Sequence, residues 1–148
     1  MKIKQDLLQA CIDFADKRIQ NYKNELELIK ESIENNDKAG DDDDDSGNGK
    51  LLNDMEKNLQ HLFEANKILD ILKGISPNVV SDKVGLGSIV KTSVNNFFIS
   101  VSAGKITADG SDFFAISVHS PIGALLLNKK KGDKVEFNGN AFTITEVI

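Results

Sequence analysis

Cysteine, histidine and aromatic residues are all scarce in this chain, and each shortage narrows what it can be. Cys11 is the one cysteine among 148 residues. A disulfide within the chain is therefore impossible, and zinc sites built on several thiolates are excluded. The two histidines, His61 and His119, have no partner at metal-ligand or triad spacing, so each reads as a surface or packing residue. Eight Phe, one Tyr and no Trp leave any part of the chain with a modest core. No stretch approaches the ~18 apolar residues of a membrane-spanning helix. The start, Met1-Lys2-Ile3-Lys4-Gln5-Asp6, carries charge where a signal peptide has its apolar run. A cytoplasmic protein without membrane contact is expected.

What charge there is lies unevenly. The formal net charge is −5. Residues 1–75 carry 11 basic and 17 acidic side chains, residues 76–148 carry 7 and 6. A free-standing duplex-DNA binder would show the opposite sign, because neutralising phosphates supplies most of its affinity. Asp41, Asp42, Asp43, Asp44 and Asp45 account for much of the acidity, and Gly40 and Ser46-Gly47-Asn48-Gly49 flank them.

Two helical patterns surround this run. Leu8, Ile12, Ala15, Ile19, Tyr22, Leu26, Ile29 and Ile33 alternate steps of four and three. That heptad period keeps one stripe facing a partner helix. A helix over residues 3–35 would be roughly 50 Å long at about 1.5 Å per residue. A second pattern, residues 50–73, gives the seam Leu52, Met55, Leu59, Leu62, Asn66 and Leu69, with Asn66 as a register-fixing polar residue. Phe63, Ile68, Leu72 and Ile75 widen it towards the base. One loop, about 35–50, joins the two, so an antiparallel hairpin within a single, monomeric chain explains both stripes. The loop reads either as a solvated, disordered acidic linker or as a functional tip. An EF-hand match fails, because the position needing a bidentate Glu is Asn53. Weak, partly hydrated Mg²⁺ binding by the aspartates fits the residue type better. Lys17, Arg18, Lys23 and Lys30 read as solvated surface charge, or alternatively as a basic stripe guiding a nucleic-acid strand.

Gly74 and Pro77 end the second helix, and the period then changes. Strands are expected at Ser88–Val94, Phe97–Ser102, Phe113–Val118, Val135–Phe137 and Ala141–Val147, with turns at Asn95-Asn96, Asp109-Gly110 and Asn138-Gly139-Asn140. Ser120 as N-cap and Pro121 at the first helical position open a short helix to Asn128. The basic turn Lys129-Lys130-Lys131-Gly132-Asp133 follows. Gly85-Leu86-Gly87 has no helix after it, so no phosphate-cradling glycine loop is expected. The fold class is α+β: a long antiparallel helical hairpin over 1–75, then a small antiparallel sheet domain with one short helix over 76–148.

The run Ile116-Ser117-Val118-His119-Ser120-Pro121-Ile122-Gly123-Ala124-Leu125-Leu126-Leu127-Asn128-Lys129-Lys130-Lys131-Gly132-Asp133-Lys134-Val135-Glu136-Phe137 resembles the C-terminal domain of bacterial Gre-type transcription elongation factors. The shared pattern is a strand, Ser-Pro, a small-and-leucine helix, a lysine turn, Gly-Asp and a closing hairpin; Asn128 stands where the family usually has Gly. The motif covers about residues 113–147, and the rest of the chain is similar in layout. The resemblance implies a coiled-coil hairpin and an FKBP-like C-terminal domain. It also implies a partner, RNA polymerase. Ser120, Pro121 and Ile122 would face the rim of its secondary channel, and the hairpin would carry Asp41–Asp45 towards the active centre. There the aspartates would share a Mg²⁺ ion with the polymerase and promote cleavage of backtracked RNA, contacting RNA only through the elongation complex. The protein would be no enzyme alone. Cleavage-active members carry an Asp and a Glu three residues apart; Asp41 and Asp44 keep that spacing without the Glu. Members with Asp-rich tips inhibit polymerase through the same channel. A coiled-coil interaction module with no polymerase contact is the remaining alternative.

Overall fold

The computed structural model describes residues 2–38 and 45–148, with side chains described for 2–36 and 48–148. Helix α1 spans Lys2–Lys38 and α2 spans Asp45–Lys73. Both run further towards the acidic segment than their apolar patterns predict. An amide pair helps to explain this, since Asn36 Nδ2 donates to Asn48 Oδ1 at 3.2 Å. It joins the two helix ends beyond the last seam residue, Ile33, even though Gly49 lies in the helix, where glycine costs about 1 kcal/mol relative to alanine.

The described chain divides into two compact units, residues 15–69 and residues 1–14 with 70–148. The base of each long helix thus belongs with the sheet.

In residues 15–69 the helices are antiparallel partners. Tyr22 stacks on His61 with ring centroids 5.4 Å apart, and Asn36 meets Asn48; the register agrees at both points. The α1 seam is as the heptad predicts, with Ala15, Ile19, Leu26 and Ile29 buried and Tyr22 and Ile33 half-buried. The α2 seam is not. Met55, Leu62 and Leu69 are half-buried, but Leu52 and Leu59 are 55% and 50% exposed and Asn66 is exposed. Their places are taken by Leu51, Asn58 and Ala65, one residue earlier in each heptad. Asn66 therefore fixes no register. Asn58 is the polar residue on the inner face, and its Nδ2 donates to the Asp54 carbonyl at 2.9 Å. Phe63, expected to widen the stripe, is 60% exposed, with the Lys67 ammonium 4.6 Å above its ring.

The other unit holds a six-stranded sheet. Its strands are β1 Ile89–Thr92, β2 Asn96–Ile99, β3 Gly104–Ala108, β4 Ser111–Ile116, β5 Lys134–Phe137 and β6 Asn140–Val147. A short helix, α3, Pro121–Leu126, lies between β4 and β5. The spatial order is β3-β4-β2-β1-β6-β5. All neighbours are antiparallel except β2 and β4, where Phe97, Phe98 and Ile99 pair with Phe114, Ala115 and Ile116. Strand β3 went unmarked by sequence pattern, since Gly-Lys-Ile-Thr-Ala offers a single large apolar side chain. Two hairpins are made by two-residue loops. Asp109 and Gly110 have φ 52° and 75°, and Asn138 and Gly139 have φ 53° and 80°, the left-handed pairs that match strand twist.

Successive strand residues face opposite sides, and both sides are buried. One core gathers Val90, Phe97, Ile99, Leu126, Phe142 and Ile144. On the opposite side Ile89, Phe98 and Phe113 are fully buried. From the start of α1, Leu7, Leu8 and Cys11 are buried, as are Leu72 in the last turn of α2 and Ile75 just past it. Cys11 Sγ lies 3.7 Å from Ser100 Oγ just past β2. Burial pushes this thiol's pKa up, against the opposing pull of the Ser100 hydrogen bond. Cys11 is thus a packing residue, inert by protonation.

Candidate functional site

The segment from Ser117 to Asp133 is built by local hydrogen bonds that its sequence supplies. Ser120 takes an extended conformation, φ −70° and ψ 154°, and caps α3 by accepting from Gly123 N at 3.1 Å. Its own hydroxyl donates to the Ser117 carbonyl at 2.6 Å, so one oxygen ties the end of β4 to the helix start. Ser117 Oγ accepts in turn from His119 N at 3.1 Å. Pro121 occupies the first helical position, where a missing N–H costs nothing. Gly123 is required by space: a Cβ there would stand 2.0 Å from the Ser117 carbonyl oxygen. Asn128, at φ 66°, takes the left-handed conformation that favours glycine, then asparagine. Its N–H donates to Val84 O at 2.9 Å. The lysine turn is closed by Asp133, whose carboxylate accepts from Lys130 N at 3.0 Å.

This folding leaves a defined surface. Pro121 is exposed and Ser120 and Ile122 are half-buried. Leu125 and Leu127 are exposed beside them. Ile122 also walls a cavity of about 410 Å³ with Val94, Phe97, Phe137, Ala141 and Phe142. Asn95 and Asn140 stand at its lining as the polar groups. The size and apolar lining suit a partner's protruding side chain. The sequence proposes Ser120, Pro121 and Ile122 as contact residues and does not mark this depression. Its walls come from β1–β2, α3 and the β5–β6 hairpin, a gathering that only tertiary structure makes.

The predicted residues on the long helices are placed differently. Lys17, Arg18, Lys23 and Lys30 are all exposed. At about 100° per residue, Lys23 and Lys30 share one flank of the α1 seam, Arg18 lies on the other flank and Lys17 on the back. Arg18 borders a small cleft with Tyr22, His61 and Glu64. Asp41, Asp42, Asp43 and Asp44 lie outside the described residues, and so does the side chain of Asp45, the first residue of α2. Among the described residues no three His, Cys, Asp or Glu side chains gather as a metal site. No described helix is long and apolar enough to cross a membrane.

No protein-family model and no curated protein matches the chain. Solved structures do. The structure of GreA factor homolog 1 (Gfh1) of Thermus thermophilus is similar at 21% identity and a TM-score of 0.35, covering 97% of this chain and 93% of that one. Gfh1 of Thermus aquaticus is similar at 18% identity and the same TM-score of 0.35, covering 94% of each chain. At these identities and scores the likeness carries no functional assignment of its own.

Proposed function

We propose that this chain is a transcription elongation regulator that binds RNA polymerase. The sheet unit docks through Ser120, Pro121 and Ile122, and the acidic segment Asp41–Asp45 reaches the active-site Mg²⁺ through the secondary channel. The reading rests on one observation above others: the Ser-Pro motif shared with Gre-type factors is a capped helix start whose proline is exposed. Beside it Ile122 walls a cavity of mixed apolar and polar lining that holds no charged side chain. A surface with an apolar depression and few charges is what a protein partner needs at the centre of an interface.

The donor set agrees with the proposed target. Five consecutive carboxylates are hard oxygen donors, and Mg²⁺ takes one or two carboxylates while sharing its other positions with waters and phosphates. In phosphodiester hydrolysis a metal ion activates water and stabilises the leaving oxygen. The chain's own part is to bring carboxylates to that place and hold them there. Of Lys17, Arg18, Lys23 and Lys30, the pair Lys23 and Lys30 shares one flank of α1 and is the part of the stripe assigned to guiding an RNA strand. The protein completes another enzyme's site and is no catalyst alone.

Two measurements test this. Purified RNA polymerase should be captured by the full chain, and Ser120→Asp combined with Pro121→Ala should weaken capture. Aspartate keeps an acceptor for Gly123 N but cannot donate to the Ser117 carbonyl as Ser120 does, so Pro121→Ala alone, which leaves the cap intact, tells loss of the surface from loss of the helix start. Unchanged capture would sink the docking surface. On stalled elongation complexes the protein should shorten the RNA, and replacing Asp41–Asp45 by Asn should abolish this. Slowed extension without shortening would assign the same site an inhibitory role, consistent with a run that offers no Glu.

A further inference from the structure

We propose a second binding site, for phosphate, in a cavity of about 260 Å³ beneath the start of α1. Its polar side chains are Lys4, Ser76, Ser81, Lys83 and Ser88, and no carboxylate lines it.

Lys4 is the reason to look there. It is only 3% exposed, yet its ammonium has a single acceptor, the Val79 carbonyl at 2.8 Å. The described ion pairs, Lys91–Glu146 and Lys105–Asp112, do not include it. An ammonium out of water is tolerated when paired, and burial alone pushes this one's pKa down. An anion in the cavity would supply the missing charge and accept the N–H groups that Val79 leaves over.

Two of the serines keep a hydroxyl hydrogen to donate. Ser88 Oγ already accepts from Gly85 N at 3.0 Å, and Ser81 Oγ accepts from Lys83 N at 3.3 Å. A hydroxyl oxygen used as an acceptor still has its O–H to give. The glycine backbone contributes little, since Gly87 N is spent on Ile99 O at 2.6 Å. The site is therefore a side-chain cradle and not a glycine loop, in keeping with the absence of a helix after Gly85-Leu86-Gly87. Two ammonium groups and three hydroxyls suit an ion of about two negative charges with several acceptor oxygens, which describes phosphate better than a carboxylate. The cavity falls below the ~300 Å³ of drug-sized sites, so the ligand is inorganic phosphate or the head of a phosphate monoester.

The test titrates inorganic phosphate and, separately, glycerol phosphate into the full chain at constant ionic strength, read by calorimetry. Saturable binding should appear. Lys83→Met, at an exposed position that leaves the core intact, should weaken it about tenfold or more, the loss of one charge-assisted hydrogen bond. Lys4→Met should abolish it, and Lys57→Met, at an exposed position of the other unit, should change nothing. Tighter binding of phosphate or of glycerol phosphate tells the free ion from the monoester. Absence of saturable binding by both ligands overturns the site, as does Lys83→Met binding with wild-type affinity; the latter variant decides the matter even if Lys4→Met fails to fold.

Discussion

Residues 15–69 and the sheet unit bury side chains in different ways. In the first, five described side chains are buried, Ala15, Ile19, Leu26, Ile29 and Ala65, and α1 supplies four of them. Its inner face on α2 is half-exposed almost throughout. The sheet unit buries both faces of its strands, and Phe98, Phe113, Ile89, Ile99 and Ile144 have essentially no exposure. A one-dimensional seam holds a long element in register with little apolar area. A two-sided sheet fixes a surface in three dimensions, which a docking face needs. The difference teaches where precision is kept in this chain.

That contrast can be broken by mutation. Phe98→Ala should cost the sheet unit about 3–5 kcal/mol, and Leu26→Ala nearer the ~2 kcal/mol end of the large-to-small range. Denaturant melts followed separately in each unit would read the two values, and equal losses would erase the distinction. Gly123→Ala should cost about 3 kcal/mol, because the new methyl would collide with backbone and not with a yielding side chain. The same variant should lose polymerase capture, since the cap that shapes the Ser-Pro surface is displaced. On α2, Leu62→Gln should destabilise by about 1–2 kcal/mol and Leu59→Gln by less than about 0.5 kcal/mol. The reverse order would restore the seam that the sequence pattern suggests.

The smallest effect concerns a strand pair. Thr107 and then Lys105 hold the Asp112 carboxyl below its ordinary pKa by hydrogen bonds. A carboxyl whose folded pKa is depressed stabilises above its unfolded value of about 3.9 and loses that stabilisation as pH falls through the folded value. Asp112→Asn should therefore slightly flatten the loss of stability below about pH 4, seen in melts at low salt. Asp112 is exposed, so solvent screening keeps the change slight.

Much of this architecture was legible because strong periodicity leaves few choices. The α1 seam needed only a count of steps, and α3 needed only Ser120 followed by Pro121. The α2 seam was misread for a physical reason. Leu51-Leu52 and the pair Asn58-Leu59 each offer two adjacent candidates, and hydrophobicity picks the leucine in both cases. Leu51 and Asn58 face inward instead, in register with the Tyr22–His61 stacking, a tertiary choice that local composition does not show. Strand β3 was missed because an edge strand with a glycine, a lysine and a threonine has no pattern to show. Ser120, Pro121 and Ile122 were proposed from a motif, whereas the cavity beside them and the cluster around Lys4 join residues up to 84 positions apart in sequence, from Lys4 to Ser88.

The strand order has one more consequence. Because β4 slips between β3 and β2, the sheet ends on β3 and β5, two of its poorer strands. Each carries a lysine, Lys105 in one and Lys134 in the other. Open strand edges invite another chain to add on, and charge and brevity are how proteins refuse. The most apolar stretches of the sheet, Ile89-Val90 in β1 and Phe97-Phe98-Ile99 in β2, thereby lie at its centre, away from the open edges.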